Sequence, residues 1–317
     1  MTKLAEDVAE TYRGARVLVT GATGFIGTQL VAALGAGGAD VQGVARRPPA
    51  MPLAGCAKLH LVDLSDLVAC RALVQSTRPD RIFHLASHVT GRQDLISVVE
   101  TLNANLVSSV HLLTAVAEFA RPRSIVVAGS SEEPRAFSLA DPQTAPYSPY
   151  AAAKLAQSAY AAFFRRTMGL PISHARIFMG YGPGQSDAKK LIPHVVSGLL
   201  RGQTPALSSG RRLADWTYIS DIVDALLVLG LRPDVPSLDI GTGKLTSVAD
   251  IAMQLRDIVD PATHISLGAT PDRLHEAQHV ADVAKSKALT GWQAAIDLDT
   301  GLRRTVDWYR AALNQFG

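Results

Sequence analysis

Val17-Leu18-Val19-Thr20-Gly21-Ala22-Thr23-Gly24-Phe25-Ile26-Gly27 is an apolar run of strand type that enters glycines spaced three apart, and the helix-period segment Phe25 to Leu34 follows at once. The order is strand, turn, helix. Gly21 permits the tight turn, Gly24 lets backbone N–H groups approach a pyrophosphate, and Gly27 lets helix and strand pack closely, so that the helix N-terminus faces the anion. The turn residues Gly21, Thr23, Gly24, Phe25, Ile26 and Gly27 are therefore read as a dinucleotide cradle. Strand and helix patterns then alternate as far as residue 179, which predicts a doubly wound parallel sheet of Rossmann type.

The junction after the second strand selects the dinucleotide. Asp40 to Ala45 reads as that strand and runs into Arg46 and Arg47. A carboxylate there would accept from a ribose 2′-hydroxyl, whereas arginine pairs with a 2′-phosphate, so the two arginines favour NADP(H), with NAD(H) possible. Lys58 to Val62 is a third strand; Asp63 and Leu64 follow it at the expected place of the adenine, and Ser65 or Asp66 caps the helix Leu67 to Thr77. Arg81 to Ala86 is a fourth strand whose end, with Ser87, should lie beside the cofactor. His84 and His88 have no third ligand nearby, and no metal is assigned. Asp94 to Ala120 carries one long helical pattern, and Arg123 to Gly129 is an all-apolar fifth strand of the kind buried on both faces.

Ser148-Pro149-Tyr150-Ala151-Ala152-Ala153-Lys154 opens an alanine-rich helix running to about Met168. Ser148 suits the N-cap and Pro149 the first helical position. The four-residue spacing puts Tyr150 and Lys154 on one helix face, where the ammonium is expected to stabilise tyrosinate and lower the phenol pKa. A tyrosine acid/base, a lysine able to hold the nicotinamide ribose and a serine from the preceding strand end make a proton-transfer site for carbonyl–alcohol interconversion.

The 317 residues are enough for one large α/β domain and a smaller lobe, and 47% hydrophobic with 19% charged residues is ordinary for a globular chain. The net charge of +3 is too small and dispersed to suggest nucleic acid. No apolar run is long enough for a bilayer, and residues 1 to 13 lack the pattern of a signal peptide, so the expectation is a cytoplasmic protein with no membrane partner. Cys56 and Cys70 have neither metal nor redox spacing and are read as free thiols.

Together, GATGFIG, HLAS at 84 to 87, the helix stretch NLVSSVHLL from Asn105, the serine loop and YAAAK resemble the extended short-chain dehydrogenase/reductase family of nucleotide-sugar epimerases, dehydratases and reductases. The resemblance continues through Arg176, the turn at 180 to 185, Asp215 to Asp221, Arg273 and Leu289 to Trp292. GSSEE at 129 to 133, SPYAAAK and GPGQ look most like GDP-4-keto-6-deoxymannose reductases and related 4-keto-6-deoxyhexose reductases. It implies that Leu85, Ala86, Ser87 and Asn105 line the cofactor, that Ser131 binds the substrate oxygen with Ser130 as its rival, and that Tyr150 donates the proton. Lys154 would tune Tyr150 and bind ribose. Glu132 and Glu133 stand where the family's 4,6-dehydratases keep an acid and a base; a solvated loop pair is the competing reading.

Two departures fall in the expected diphosphate clamp: Met179 replaces an Asn, and Ala214 replaces an Arg. Arg211 or Arg212 is then expected to reach the phosphates, with Arg176 and Arg273 as further cations, while Lys189 and Lys190 at the start of a helix Ala188 to Leu200 read as a solvated basic end. The expected function is NADP(H)-dependent reduction of the C4 ketone of a nucleotide-linked 4-keto-6-deoxyhexose. The alternatives are a 4-epimerase or 4,6-dehydratase with retained NAD(P), or a non-catalytic dinucleotide sensor. Residues 1–179 form the dinucleotide domain, to which 215–250 return in part, and 180–317 form mainly the substrate lobe. The resemblance also implies a homodimer built from the helices near 94–120 and 149–168.

Overall fold

The computed structural model describes residue 8 and residues 10–141, 144–272 and 278–316. In chain order the elements are β1 (Arg16–Thr20), α1 (Phe25–Ala36), β2 (Asp40–Ala45), β3 (Lys58–Leu61), α2 (Leu67–Thr77) and β4 (Arg81–His84). Next come α3 (Leu95–Thr101), a π-helical turn at Leu102–Val107, α4 (Ser108–Phe119), β5 (Ser124–Ser130), α5 (Pro149–Thr167), β6 (Ile172–Ile177) and β7 (Met179–Tyr181). The chain closes with α6 (Leu191–Leu200), β8 (Leu213–Tyr218), α7 (Ile219–Gly230), β9 (Ser237–Ile240), β10 (Leu245–Ser247), α8 (Val248–Val259), α9 (Val283–Thr290) and α10 (Leu298–Phe316).

Seven strands form one sheet in the order β3-β2-β1-β4-β5-β6-β9, all of it parallel. Alternation along each strand feeds both faces. Val17 and Val19 join the apolar cluster with Leu30, Leu226 and Ile222 from α1 and α7, while Leu18 between them joins the opposite cluster with Leu112, Val116 and Phe164 from α4 and α5. Such burial on two sides is why these strands read as continuous apolar runs. The strand order reverses between β1 and β4, and in open α/β sheets the ligand crevice lies outside the carboxyl ends at that point.

β9 enters the large sheet beside β6, although it follows a stretch of chain that belongs elsewhere. β10, β8 and β7 form a separate three-stranded sheet, whose Trp216 and Tyr218 belong to the same buried cluster as Leu199 of α6, Ile251 of α8 and Leu302 of α10. Two helix boundaries depart from the sequence reading, and a third choice it left open is decided. The pattern from Asp94 to Ala120 is broken by the π turn, and α6 begins at Leu191 rather than Ala188 because Lys189 N–H is taken by Asp187 in a preceding turn. The helix after β3 is capped by Asp66, which accepts from Val68 and Ala69, leaving Ser65 to bind Asp63.

Candidate active site

Two glycines of the first turn have a steric reason. Gly21 holds φ +69, and a Cβ there would lie 2.8 Å from Ala86 N; a Cβ on Gly27 would lie 2.1 Å from the Gly21 carbonyl oxygen. Gly24 is the N-cap of α1 with no side-chain hydrogen bond, and the first turn carries no acid, so the helix N-terminus is left for an external anion. A cleft of about 570 Å³ opens here. Gly21, Thr23 and Gly24 form its floor, and Ala45 and Arg46 line the end of β2. Asp63, Leu64 and Ser65 close that side, while Leu85, Ala86, Ser87 and His88 come from the exit of β4. A cleft of this size with an open helix N-terminus and no obstructing Cβ fits a dinucleotide.

Several expected cofactor residues stand elsewhere. Arg47 does not line the cleft. Gly27 is buried beneath the turn, and Phe25 and Ile26 pack against the core cluster from the same helix start. Asn105 is fully buried and spends its amide on the loop after β4: Oδ1 accepts from Ser87 Oγ and His88 N, and Nδ2 donates to His88 O. It shapes the cleft wall from behind. The cleft also takes Glu100 from the end of α3, Asn103 and Ala104 from the π turn, and Ser108 from the start of α4, the turn having shifted the helix period by one residue between them. No apolar periodicity signals such an insertion.

Asp63 is held by Ser65 N and Oγ at 2.9 and 2.8 Å. These bonds, with Arg46 adding to them, keep its carboxyl below the ordinary range.

Ser148 caps α5 by accepting from Ala151 N at 3.0 Å, with Pro149 first in the helix. Tyr150 is thereby fixed beside the sheet, 5% exposed, its hydroxyl in contact with the side chains of Ser130 and Ser87. The serine meeting Tyr150 is thus Ser130, the last residue of β5, whereas Ser131 has left the strand and gives its N–H to Ile177 O. Ser87 also lines the cleft, so Tyr150 stands one contact behind its wall.

The electrostatics differ from the expected tyrosinate. Burial raises the phenol pKa, Glu132 and Glu133 raise it further, and the two serine contacts offset only part of this. Lys154 Nζ lies 5.9 Å from the Tyr150 ring centre and donates to Ala128 O and Gln157 Oε1. Its own pKa is lowered by burial to about 8, with Glu133 opposing. In the chain alone Tyr150 is a protonated acid.

The two glutamates separate. Glu133 is fully buried and accepts from Ser130 N at 2.6 Å, with His174 Nε2 3.3 Å from its other oxygen. Burial opposes its charge, but His174, Lys154 and Arg176 prevail and hold its carboxyl below the ordinary value. Gly129 is required there, since a Cβ would meet the His174 ring at 2.2 Å. Glu132 is half-buried and near enough to Tyr150 to act on its charge. Neither is a solvated loop residue.

Arg176 donates to Glu133 O and lies 3.7 Å from Asp239, so it braces the loop after β5. Arg211 pairs with Asp272, Arg212 is half-buried, and Arg273 lies outside the described residues. Met179 pairs with Trp216 in the small sheet, and Ala214 is buried in β8 opposite Thr246.

His84 is bound to Thr20 and Ser109 and is not a ligand; among the described residues no group of three or more His, Cys, Asp and Glu is placed to hold a metal. Burial lowers its pKa from 6.5 to about 3. The unfolded chain therefore binds the extra proton first, and stability should fall as pH drops from 6.5 towards 3. Urea midpoints across that range are expected to flatten in His84→Gln, and an unaltered slope would dismiss this contribution. Among the described residues no helix is long and apolar enough to cross a membrane.

Comparison with known proteins adds a common frame. The profile of the NAD dependent epimerase/dehydratase family matches residues 17–240. A probable dTDP-glucose 4,6-dehydratase of Sinorhizobium fredii is 29% identical, the alignment covering 93% of this chain and 92% of that protein. The UDP-glucose 4-epimerase of Mycolicibacterium smegmatis is 28% identical over 93% and 98% respectively. Among solved structures, MoeE5 in complex with UDP-glucuronic acid and NAD superposes with a TM-score of 0.82 at 30% identity, covering 93% of this chain and 99% of that one.

Proposed function

The chain belongs to the NAD-dependent epimerase/dehydratase family of oxidoreductase-type enzymes, and on that premise we propose that it interconverts nucleotide-diphosphate hexoses epimeric at C4, keeping its dinucleotide between turnovers. The observation that carries this reading is the commitment of Glu133. A 4,6-dehydratase needs an acid and a base besides the tyrosine, but Glu133 is buried and bound to Ser130 N. That leaves Tyr150, with Ser130 against its hydroxyl and Glu132 nearby, one group short of the dehydratase set. One proton-transfer group suffices for epimerisation.

When bound in the cleft, the dinucleotide supplies the position that accepts and returns hydride. The chain's own part is the proton. In the loaded site, where an oxidised dinucleotide would add positive charge to that of Lys154, Tyr150 would be the phenolate that takes the proton from the sugar hydroxyl as hydride leaves C4 and returns it as hydride comes back. Ser130 orients the oxygen. The resemblance of the relatives supports retained-hydride chemistry better than the 4-keto reductase expected from the motifs, since those relatives carry epimerase and dehydratase names. The test is product analysis of UDP- and dTDP-hexoses with no added reductant. C4 epimers support the proposal; no conversion there, with stoichiometric NADPH loss in a parallel assay that supplies NADPH and a nucleotide-linked 4-keto-6-deoxyhexose, restores the reductase.

A second reading, 4,6-dehydration, draws on Glu132 beside Tyr150 and on the likeness to the Sinorhizobium protein. It would appear in the same assay as a 4-keto product. In either case residues 1–179 would hold the dinucleotide and 180–317 mainly the sugar nucleotide.

Arg46 lines the cleft where a ribose phosphate would sit. Arg46→Asp is expected to shift the ratio of NADPH to NADH affinity towards NADH by about tenfold or more, read by fluorescence titration. An unchanged ratio removes Arg46 from cofactor choice.

Leu95, Ile96 and Val99 on α3 are 86%, 64% and 59% exposed, and Tyr160 and Phe163 on the adjoining α5 are also exposed. A contiguous apolar face of this kind suits a second copy of the chain. Leu95→Glu combined with Phe163→Glu should turn a dimer into a monomer by light scattering; an unaltered mass would place the contact elsewhere.

A further inference from the structure

A continuous chain of buried side chains runs from the glycine turn to Lys154. Thr20 Oγ1 lies 2.8 Å from His84 Nδ1, His84 Nε2 lies 2.7 Å from Ser109 Oγ, Gln157 Nε2 lies 2.6 Å from the same oxygen, and Lys154 Nζ lies 3.0 Å from Gln157 Oε1. All five residues are at most 1% exposed. They come from β1, β4, α4 and α5, so the chain runs along the face of the sheet that α4 and α5 cover.

Counting protons fixes its direction. An ammonium only donates, so Gln157 must turn Oε1 to Lys154 and its NH₂ to Ser109. Ser109 donates its single proton to Asn105 O at 2.5 Å and so accepts from both Gln157 and His84. His84 is then the neutral Nε2–H tautomer, and Nδ1 accepts from Thr20, whose oxygen in turn accepts from Ala86 N at 3.2 Å. Ser109 has used its proton and both lone pairs. Lys154 gives a second N–H to Ala128 O at 2.7 Å, which leaves one for a ligand.

We propose that Gln157 is the positioning residue for Lys154, anchored by Ser109 and His84 as a strut that ties the ammonium to the strand ends bearing the glycine turn. This rests on the reading of Tyr150 and Lys154 as the proton-transfer pair. With two N–H groups spent on fixed acceptors, the third can point only one way, so the strut sets where the lysine meets a bound ribose. It also sets how readily the lysine loses its proton. The charged or titratable groups facing Nζ are Glu133 from the loop after β5, His84 from β4 and Tyr150 on its own helix. Gln157 adds a neutral acceptor to these. A glutamate there would add a charged one.

The experiment titrates the full-length protein by NMR with lysine isotope-labelled at Cε, the Lys154 signal being identified by its loss in Lys154→Met. The wild-type signal should titrate at about 8. Gln157→Glu should move the midpoint up by about one unit or more, and Gln157→Leu should move it down. Ser109→Ala should follow Gln157→Leu, with Ser109→Thr restoring the wild-type value. Gln157→Glu changes one atom, and it decides the matter even if Gln157→Leu does not fold. An identical Lys154 midpoint in Gln157→Glu and wild type overturns the proposal. Turnover of Tyr150→Phe separates the two failures: full activity there refutes the catalytic pair, whereas inactivity there with an unmoved Lys154 titration refutes the strut alone.

Discussion

Replacing Tyr150 by phenylalanine is expected to lower turnover about 10³-fold while leaving dinucleotide affinity within about twofold of wild type. The ring is almost completely buried against the sheet, so phenylalanine keeps its volume and packing. Only the hydroxyl that touches Ser130 and Ser87 is lost. Glu132 does not replace it, because the lost hydroxyl is the group that meets Ser130 and Ser87. Single-turnover kinetics with the best sugar nucleotide, alongside cofactor titration, measures both quantities. More than a tenth of wild-type turnover in Tyr150→Phe would move the proton to another group.

The second large effect is at Gly27. Gly27→Ala is expected to destabilise the fold by about 3 kcal/mol and weaken dinucleotide binding about 100-fold. The added Cβ would stand 2.1 Å from the Gly21 carbonyl oxygen and 2.9 Å from its carbon, and a backbone group inside the turn cannot swing aside as a side-chain end can. Helix α1 must then retreat from β1 and take its N-terminus away from the cleft floor. Gly24→Ala is the control, since its Cβ meets only one atom, Gly21 O at 3.2 Å. Urea denaturation should rank the two variants in that order, and equal effects on stability would refute the steric account.

What could be read from the residues depends on whether local physics alone determines the outcome. The glycine turn was legible because Gly27 answers to Gly21 and Ala22 within one strand–turn–helix unit and Gly21 takes a positive φ in its own turn, although the backbone at Leu85 and Ala86 that also crowds Gly21 comes from β4. The start of α5 was legible for the same reason: Ser148 and Pro149 act on their own helix end. Ser130 against Ser131 was not, since both serines stand at a strand end and only the placement of α5 selects between them. Glu133 looked like half of a loop pair, and its burial depends on His174 and Gly129 from two adjacent strands. The π turn at Leu102–Val107 kept an apolar pattern that a straight helix also satisfies, so Asn103 and Glu100 gave no sign of facing the cleft. Gln157 did carry a usable signal. It stands three residues after Lys154, on the same helix face.

The expected fall in the phenol pKa failed for a related reason. Helical spacing put Lys154 on the Tyr150 face, but spacing says nothing of what else claims the ammonium. Ala128 O and Gln157 claim it here.

The central claim, a hydride retained between two faces of one sugar, is tested most directly with nucleotide-diphosphate hexoses carrying deuterium at C4, incubated with excess unlabelled NAD(P)H in solution. The account predicts C4 epimers that keep their deuterium at C4. Washout of the label into the solution cofactor, or its appearance at C6 of a 4-keto product, would contradict it.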